Sequence, residues 1–343
     1  MSGFFEVIAA RKAREALLAA WVIGGASAGA RALFTREGEG WTEVCRDELF
    51  PAACAEAIGR SSRESAGIVA AAGARLFLES VAPVRRLVIC GAGHVSMPVI
   101  KIAALLSFEV TVVDDREAFC ENARAAGAHH VICGPFDEAL NAIEGDLSTA
   151  FVIMTREHAY DVDCLRLILQ KPHAYAGMMG SRSRTASIRD QLLGEGYDAE
   201  TVGRVHMPIG LPIGSRTPAE IAVSVLAEVV SVMNAADAGE GYPQGMLEEL
   251  AAPKGPVVLA MIVDKRGEAP RRPGTKLLMR GDGSFLGTVG GGTAEAMILR
   301  AAGDMLREGR RECRLERITL QKGTMHCGGE ITVMLMPVSA GAP

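Results

Sequence analysis

The chain has 343 residues, of which 49% are hydrophobic and 22% charged, and its formal net charge is −5. This length accommodates two or three domains with separate cores. The negative charge and the lack of a lysine- or arginine-rich block argue against a nucleic-acid-binding surface. No apolar run reaches the roughly 20 residues of a membrane helix. Eight cysteines without a Cys-x-x-Cys pair predict reduced, mostly buried thiols in a cytoplasmic protein and no zinc site.

The first 84 residues indicate a small mixed region that opens with an amphipathic helix. Charges interrupt the apolar stretch of this helix, which distinguishes it from a signal peptide. Segments 30–35 and 74–79 predict strands, and segment 51–58 predicts a helix between them. None of these elements carries an evident catalytic group.

The stretch from Arg86 to Arg116 predicts a strand, a glycine turn, a helix and a second strand, in the length that a βαβ unit needs. Gly91 and Gly93 permit a tight turn and close approach of the backbone to a phosphate. The following helix directs its free N–H groups at that anion. Asp114 ends the second strand, where a carboxylate binds the ribose hydroxyls of a dinucleotide.

Three further residues qualify this nucleotide-type pattern. Ser96 occupies the position of the third glycine of G-x-G-x-x-G and is small enough for close helix–strand packing. His94 stands where a ring nitrogen can face the ligand, and Asp115 adds a second acid. The pattern favours nucleotide-type binding over a βαβ unit without a ligand. The acid at the strand end favours NAD over NADP, because it repels a 2′-phosphate.

Residues 85–235 predict one α/β domain with a mainly parallel sheet, because strands near 130–133, 150–155 and 174–178 alternate with helices. Ligands of such sheets bind at the carboxyl ends of the strands. After the strand at 150–155, Asp161 is expected to cap a helix that begins at Val162. His158, in the same segment, is a candidate for acid–base work, and the sequence leaves its role open.

Two more polar segments follow in this domain. Ser181 and Arg182 belong to a segment rich in glycine, serine and arginine that suits either an anion loop or a solvated helix start. Thr217 and Glu220 predict a capping box for an apolar helix, which should be buried in the domain or against a partner. Arg216, just before this helix, is the residue there that capping does not explain.

Residues 236–254 are small, acidic and rich in turn formers, and predict a linker with one short helix. Residues 255–343 predict a third unit. Its consecutive glycines, which include Gly291 and Gly292, precede a helix and leave N–H groups free to wrap an anion. Cys327 follows a histidine in a glycine-containing loop, where either contact with a cofactor or plain burial explains a thiol.

An internal repeat relates the two ends of the chain. Residues 28–38 align with 273–283 at a constant offset, and residues 73–83 resemble 329–337. The first copy lacks the consecutive glycines and the cysteine-containing segment. The first copy is therefore expected to be a scaffold and the second to be functional.

Several spaced motifs carry a family resemblance. GAGHV with VTVVDDR, MTREHAYD, GMMGSRSR and PIGLPIGSRTPAEIAVSVLAE resemble the Rossmann domain of the XdhC/CoxI family, and GTVGGGTAEA with CGGEITVML resembles its other domain. The resemblance covers most of residues 74–337. It implies an α/β fold: a Rossmann-like, doubly wound parallel sheet domain at 85–235, between a degenerate N-terminal copy at 1–84 and a fuller C-terminal α+β unit at 255–343.

Members of this family resemble maturation factors of molybdenum hydroxylases such as xanthine dehydrogenase, aldehyde oxidoreductase and carbon monoxide dehydrogenase. The resemblance implies a cofactor chaperone that binds molybdopterin cofactor, supports its sulfuration and delivers it to the apoenzyme. The implied partners are the apo molybdenum hydroxylase, a sulfur donor such as a cysteine desulfurase, and a second copy of the chain. Cys327 would lie near the molybdenum, while the glycine loops and four arginines would hold the pterin phosphate: Arg182, Arg216, Arg271 and Arg272.

The chain departs from the family pattern at two positions. Thr293 stands where a cysteine commonly follows the paired glycines, which leaves Cys327 as the candidate thiol. Arg156 replaces the first histidine of the strand-end motif, while His158 retains the second. The alternative hypothesis is an NAD(P)-dependent oxidoreductase with His94 or His158 as its acid–base group.

Overall fold

The computed structural model describes residues 3–12, 15–61, 67–81, 83–235, 241–243, 245–268, 271–320 and 329–339, with the side chains of all of them except His158 and Leu320. These residues belong to two compact units. One is Val84–Ala236, called the Rossmann unit below, and the other combines Met1–Pro83 with Asp237–Pro343 and is called the paired unit.

The N-terminal segment folds into one antiparallel sheet with two helices. Its elements are α1 (Phe4–Arg11), β1 (Leu17–Val22), β2 (Arg31–Glu37), β3 (Gly40–Arg46), α2 (Ala52–Gly59), β4 (Gly67–Ala71) and β5 (Ala74–Val81). The strand order is β3-β2-β1-β5-β4. Strand β1 lies at the centre and is buried along its whole length, which explains its continuous apolar sequence.

The Rossmann unit alternates strands and helices along the chain. Its elements are β6 (Arg86–Cys90), α3 (Ser96–Leu105), β7 (Glu109–Asp114), α4 (Glu117–Ala126), β8 (His130–Cys133), α5 (Phe136–Ala142), β9 (Thr149–Ile153), α6 (His158–Ile168), β10 (Tyr175–Met178), α7 (Arg182–Gly194), α8 (Ala199–Gly203) and α9 (Pro218–Ala235). The strands are parallel in the order β10-β9-β6-β7-β8. The predicted Rossmann-like parallel sheet is confirmed, with its switch point between β6 and β9.

Helices cover both faces of this sheet. Val99 on α3 and Val225 on α9 pack on one face, while Leu140 on α5 and Leu165 on α6 pack on the other. Because both faces are covered, β6 and β9 are apolar runs rather than alternating strands.

Helix α9 is less buried than its sequence suggests. Val225 and Val229 lie in the core, but Val223 is 50% exposed. One side of α9 therefore faces outward in this unit, and the expected burial of that side against a partner stays a prediction. Within the described ranges, α9 is also the helix that is long and apolar enough to cross a membrane. Six of its 18 residues are buried in the unit.

The C-terminal segment repeats the architecture of the N-terminal one. Its elements are α10 (Met246–Ala251), β11 (Val257–Gly267), β12 (Lys276–Arg280), β13 (Phe285–Gly287), α11 (Gly292–Arg307), β14 (Arg314–Leu320) and β15 (Gly329–Val338). Its strand order, β13-β12-β11-β15-β14, repeats that of the first sheet. Arg31 and Lys276, which the sequence repeat aligns, begin the equivalent strands β2 and β12. The predicted internal repeat is thus present as a duplicated seven-element fold.

The two copies share one core. Trp21 and Leu33 of the first sheet pack in one cluster with Leu259 and Met261 of the second. The outer faces are covered by α2 and α11, respectively. Helix α10, the short helix expected in the predicted linker, also buries side chains in the shared core. The predicted domain boundaries, which give segments 1–84, 85–235, 236–254 and 255–343, stay a prediction. The paired unit contains most of the first of these segments and all of the last.

A buried ion pair links the two sheets. The ammonium group of Lys276 contacts the carboxylate of Glu79, and the two side chains are 0% and 1% exposed. Trp21 Nε1 donates to Glu79 Oε2 at 3.1 Å, and the ring of Tyr242 lies 4.2 Å from Lys276 Nζ. The charges are therefore paired and hydrogen-bonded inside the core, as buried charges must be.

Candidate functional site

The glycine turn lies at the carboxyl end of β6, at the switch point of the parallel sheet. Gly91 has φ +104°, and a Cβ atom there would lie 2.4 Å from the carbonyl oxygen of Met154. A side chain at Gly91 is therefore excluded by both backbone conformation and space. A Cβ on Gly93 would meet no heavy atom within 4 Å. Gly93 thus borders open space.

Ser96 explains how the turn closes without a third glycine. Its buried hydroxyl donates a 2.6 Å hydrogen bond to the carbonyl oxygen of Gly91. Ser96 therefore fits into the close helix–strand packing that the third glycine of the motif usually permits, and it adds a hydrogen bond across the turn. His94 is exposed between these residues, where its ring is available to a ligand.

The carboxylate of Asp114 faces the protein and not the solvent. It accepts hydrogen bonds from the Ala92 N–H at 2.7 Å and from Arg116 Nε and Nη2, both at 2.8 Å. Its side chain is 1% exposed. Burial acts to raise the pKa of Asp114, but the hydrogen bonds from Arg116 and Ala92 outweigh it, and the net shift is downward. The ribose-binding role predicted for Asp114 stays a prediction, and in this arrangement its oxygens are already engaged.

Asp115 is the more accessible acid at this strand end. Its side chain is 28% exposed and lies 3.2 Å from Arg156 Nη2 and 3.8 Å from Arg116 Nε. Arg156, the residue that departs from the family pattern, thus carries a charge that partly neutralises Asp115.

The segment after β9 is organised by Asp161. Helix α6 begins at His158 with Glu157 as its N-cap, so the expected cap by Asp161 is wrong. The helix starts four residues earlier than the apolar pattern indicates. The buried Asp161 carboxylate instead accepts a hydrogen bond from Thr155 Oγ1 and pairs with Arg184.

The segment after β10 presents one arginine outward and turns another inward. Ser181 caps α7, because its hydroxyl accepts a 3.3 Å hydrogen bond from the Arg184 N–H. The helix start is thereby established, while the anion-binding role of Ser181 stays a prediction. Arg184 turns inward to Asp161, and Arg182 is exposed at the first position of the helix.

Arg216 precedes α9 in an exposed loop. The predicted capping box is confirmed: Glu220 Oε2 accepts from the Thr217 N–H at 3.0 Å, and Thr217 Oγ1 accepts from the Glu220 N–H at 3.3 Å. Glu220 also accepts from the Arg216 N–H at 2.7 Å. Capping therefore fixes the backbone of Arg216, and its guanidinium remains at the surface.

The consecutive glycines of the paired unit surround a carboxylate of the chain itself. Gly290, Gly291 and Gly292 have φ values of +119°, +72° and +64°, which only glycine adopts readily three times in a row. Glu295 Oε2 accepts from the N–H groups of Val289 at 3.0 Å and Gly291 at 3.3 Å. The anion that the glycine loop was expected to wrap is, in this structure, Glu295.

Glu295 carries a lowered pKa for the same reason. Burial acts to raise it, but hydrogen bonds from Thr288 and from the loop N–H groups prevail, helped by the nearby charge of Arg271. Arg271 and Arg272 are exposed in the loop before β12. Cys327 lies outside the described residues, and its role stays a prediction. The sequence contained a signal for Glu295, because an acid in the first turn of a helix interacts favourably with the free N–H groups there. The consecutive glycines before the helix pointed instead to an external anion.

A cavity of about 810 Å³ opens at the carboxyl ends of β7 and β8, beside α6. The residues that line it are Asp115, Gly134, Pro135, Phe136, Asp137, Tyr160, Asp163, Arg166, Leu167 and Gln170. Of these, only Asp115 is a predicted site residue. The others follow β8 or belong to α6 and the residues just after it. For those after β8, the position at a strand end was the sequence signal. Within the described part of the chain, no group of three or more His, Cys, Asp or Glu side chains is arranged to hold a metal ion.

The fold and the polar groups at the carboxyl edge of its parallel sheet define a protein with a Rossmann-like unit inserted into a duplicated α+β unit. Residues 87–229 match the family model of the XdhC Rossmann domain, and residues 250–319 match that of the XdhC and CoxI family. The chain belongs to the XdhC/CoxI family. The N-terminal segment shares its strand order with the C-terminal segment, which contains most of the second match.

Individual relatives cover part of the chain. It is 34% identical to the uncharacterized protein YqeB of Escherichia coli over 185 residues, which are 53% of this chain and 34% of that protein. It is 30% identical to a probable xanthine dehydrogenase subunit of Bacillus subtilis over 155 residues, 45% of each chain. The chain therefore spans less than half the length of both. A crystal structure of a xanthine dehydrogenase from Bacillus halodurans shares the fold, with a TM-score of 0.51, 19% identity, and coverage of 67% of this chain and 66% of that one.

Proposed function

We propose that this chain is an accessory factor of a molybdenum hydroxylase such as xanthine dehydrogenase or aldehyde oxidoreductase. It binds molybdopterin cofactor, supports its sulfuration and inserts it into the apoenzyme. Membership of the XdhC/CoxI family and the name of the Bacillus subtilis relative support the link to xanthine dehydrogenase. The partners are the apo hydroxylase and a sulfur donor such as a cysteine desulfurase, and the chain acts as a chaperone in the cytoplasm, as a homodimer.

The observation that carries the binding step is the set of exposed cations at the carboxyl edge of the Rossmann sheet. Arg182 begins α7, directly after β10. The loop that leads to Arg216 is anchored to the same strand end, because the Ile209 N–H donates to the Met178 carbonyl at 3.0 Å. Guanidinium groups bind phosphate by paired hydrogen bonds. These residues fit the phosphate of the pterin cofactor, together with the N–H groups of the helix starts.

The remaining residues have supporting roles in this proposal. Gly91 and Gly93 let the ligand approach the backbone, with the exposed His94 beside them. In the paired unit, Arg271 and Arg272 add positive charge near the glycine loop. When bound, the cofactor supplies the molybdenum that carries the exchangeable sulfur, and the family resemblance assigns Cys327 and His158 to that chemistry.

Retention of the cofactor tests this proposal. Purified chain is mixed with molybdopterin cofactor and passed over a size-exclusion column, and the pterin in the protein peak is quantified. Wild type is expected to retain the cofactor, and Arg182→Ala with Arg216→Ala is expected to retain at least about tenfold less, because each charged phosphate contact is worth about 1.5–3 kcal/mol. Arg204→Ala, which removes an exposed arginine at the end of α8, is the matched control. Failure of the wild type to retain cofactor, or equal retention by all variants, would refute the binding step.

A second candidate is an NAD(P)-dependent oxidoreductase, favoured by the glycine turn and by the accessible Asp115. Titration with NADH separates the two functions. Tight binding of NADH, with turnover of a small carbonyl compound, would favour the oxidoreductase. Retention of molybdopterin without such turnover favours the accessory factor.

A further inference from the structure

The cavity beside Asp115 is placed to receive one end of a ligand whose phosphate lies at the glycine turn. It opens at the ends of β7 and β8; β7 lies next to β6 in the sheet, and β8 lies next to β7. Neighbouring strands lie about 4.8 Å apart, so the cavity and the turn are separated by roughly the length of a nucleoside. Its volume of about 810 Å³ is within the range of about 300–1,000 Å³ for small-molecule sites.

Two aromatic rings make this cavity suitable for a planar heterocycle. The ring centroids of Phe136 and Tyr160 lie 5.3 Å apart, with their planes inclined at 44°. Phe136 is 7% exposed, so it supports the partly buried ring of Tyr160, which is the ring that a ligand can reach. Aromatic faces stack on heterocycles of any base type, so Tyr160 provides affinity and the polar groups must provide selectivity.

The charges around the cavity select for N–H donors. Asp115 is paired with Arg156 at 3.2 Å, and Asp163 with Arg166 at 2.7 Å. Asp137 is exposed in the first turn of α5, and among the described residues no ion pair or hydrogen bond engages its side chain. An ionised carboxylate only accepts hydrogen bonds. The cavity therefore offers a free acceptor and repels a phosphate.

We infer that this cavity binds the 2-amino-4-oxopyrimidine edge that guanine and pterins share, with Asp137 accepting its two neighbouring N–H groups. That edge presents a ring N–H beside an amino group, and one carboxylate accepts both. Adenine presents an amino group beside a ring nitrogen acceptor, which a carboxylate repels. The inference rests on the proposed function, which counts the N–H groups of the helix starts and the backbone at the glycine turn among the ligand's contacts, and it assigns the selectivity for the ring to the Rossmann unit.

Titration calorimetry of the full chain with GDP and ADP tests the selectivity, because the two probes carry the same diphosphate. GDP is expected to bind at least about tenfold more tightly than ADP, since a charged hydrogen bond is worth about a factor of ten or more. Asp137→Asn should lower the affinity for GDP by a similar factor and remove the preference. Asp190→Asn, an exposed acid of α7 outside the cavity, is the control and should change neither. Equal affinities, tighter ADP, no binding of either, or GDP binding unaffected by Asp137→Asn would overturn the inference.

Retention of purified molybdopterin by the same variants separates this inference from the proposed function and distinguishes the two sources of the ring. Strong retention by wild type that falls about tenfold in Asp137→Asn supports a pterin in the cavity. Equal retention by both, without a preference for GDP, overturns the inference and leaves the proposed function standing. An Asp137-dependent preference for GDP without molybdopterin retention supports a guanine nucleotide as the ligand and overturns the proposed function.

Discussion

Asp114 accepts a 2.7 Å hydrogen bond from the backbone N–H of Ala92, so the acid at the end of β7 holds the glycine turn at the end of β6. Arg116 completes the arrangement by contacting both carboxylate oxygens of Asp114. The turn is therefore preformed before any ligand arrives. This relationship gives Asp114 a structural role that is independent of the ligand's identity.

The lowered pKa of Asp114 predicts a pH dependence of stability. A carboxyl group with a depressed pKa in the folded state stabilises the fold above its unfolded-state pKa of about 3.9 and loses that contribution as the pH falls through the folded-state pKa. Asp114→Asn should therefore be less stable than wild type at pH 7. The difference should shrink as the pH falls below about 4. Urea unfolding between neutral and acid pH measures this, and a difference that does not depend on pH would contradict it.

Gly91 and Gly93 should respond differently to alanine. Gly91→Ala places a Cβ against the Met154 carbonyl in a left-handed conformation and should cost about 1–3 kcal/mol or more of stability. Gly93→Ala meets open space in the protein, so it should leave the free energy of unfolding nearly unchanged. It should nevertheless weaken cofactor retention, because the new methyl group stands where the ligand's phosphate approaches. Denaturant unfolding compares the two variants, and equal stability would contradict the distinct roles of the two glycines.

Removing one partner of the Lys276–Glu79 pair should lower the free energy of unfolding strongly, whereas replacing both should lower it little. Lys276→Met leaves the Glu79 carboxylate buried without its cation, which should cost about 3–5 kcal/mol. The double variant Lys276→Met with Glu79→Leu removes both charges and should recover most of that loss. A double-mutant cycle by denaturant unfolding measures the coupling. Additive losses would show that the ion pair does not join the two sheets energetically.

Glu295 should compete with external anions at the glycine loop of the paired unit. Its carboxylate occupies the N–H groups of Val289 and Gly291, so Glu295→Ala should free them. The variant should bind inorganic phosphate more tightly than wild type, and calorimetric titration with phosphate measures the change. Glu308→Ala, at the far end of the same helix, is the control. Unchanged phosphate binding by Glu295→Ala would show that the loop does not bind anions when vacated.

Local sequence patterns predicted much of this molecule. The apolar runs and glycine turn indicated the βαβ unit, and the aligned segments that contain Arg31 and Lys276 indicated the repeat. The Thr217 capping box followed from four neighbouring residues. In each of these features the determining contacts are close in sequence or recur with a fixed spacing.

Long-range contacts account for what the sequence did not indicate. Aspartate is a residue type that commonly caps helices, which explains the expectation for Asp161. Its partner is instead Arg184 on α7, and strand β10 separates the two residues in the chain. The common core of the two copies depends on contacts between segments far apart in the chain, such as those of Trp21 and Met261. No local pattern specifies which acid fills an N–H cradle, and so the role of Glu295 emerged only from the folded chain.

Transfer of cofactor to an apoenzyme tests the proposed accessory function most directly. The chain is loaded with molybdopterin cofactor, freed of excess by size exclusion and mixed with apo xanthine dehydrogenase, and the molybdenum content and activity of the hydroxylase are followed. Loaded wild type is expected to activate the hydroxylase, and Arg182→Ala with Arg216→Ala, treated in the same way, is expected to activate it little. A wild-type chain that carries no cofactor through the column, or a loaded chain that leaves the hydroxylase inactive, would contradict the proposed function.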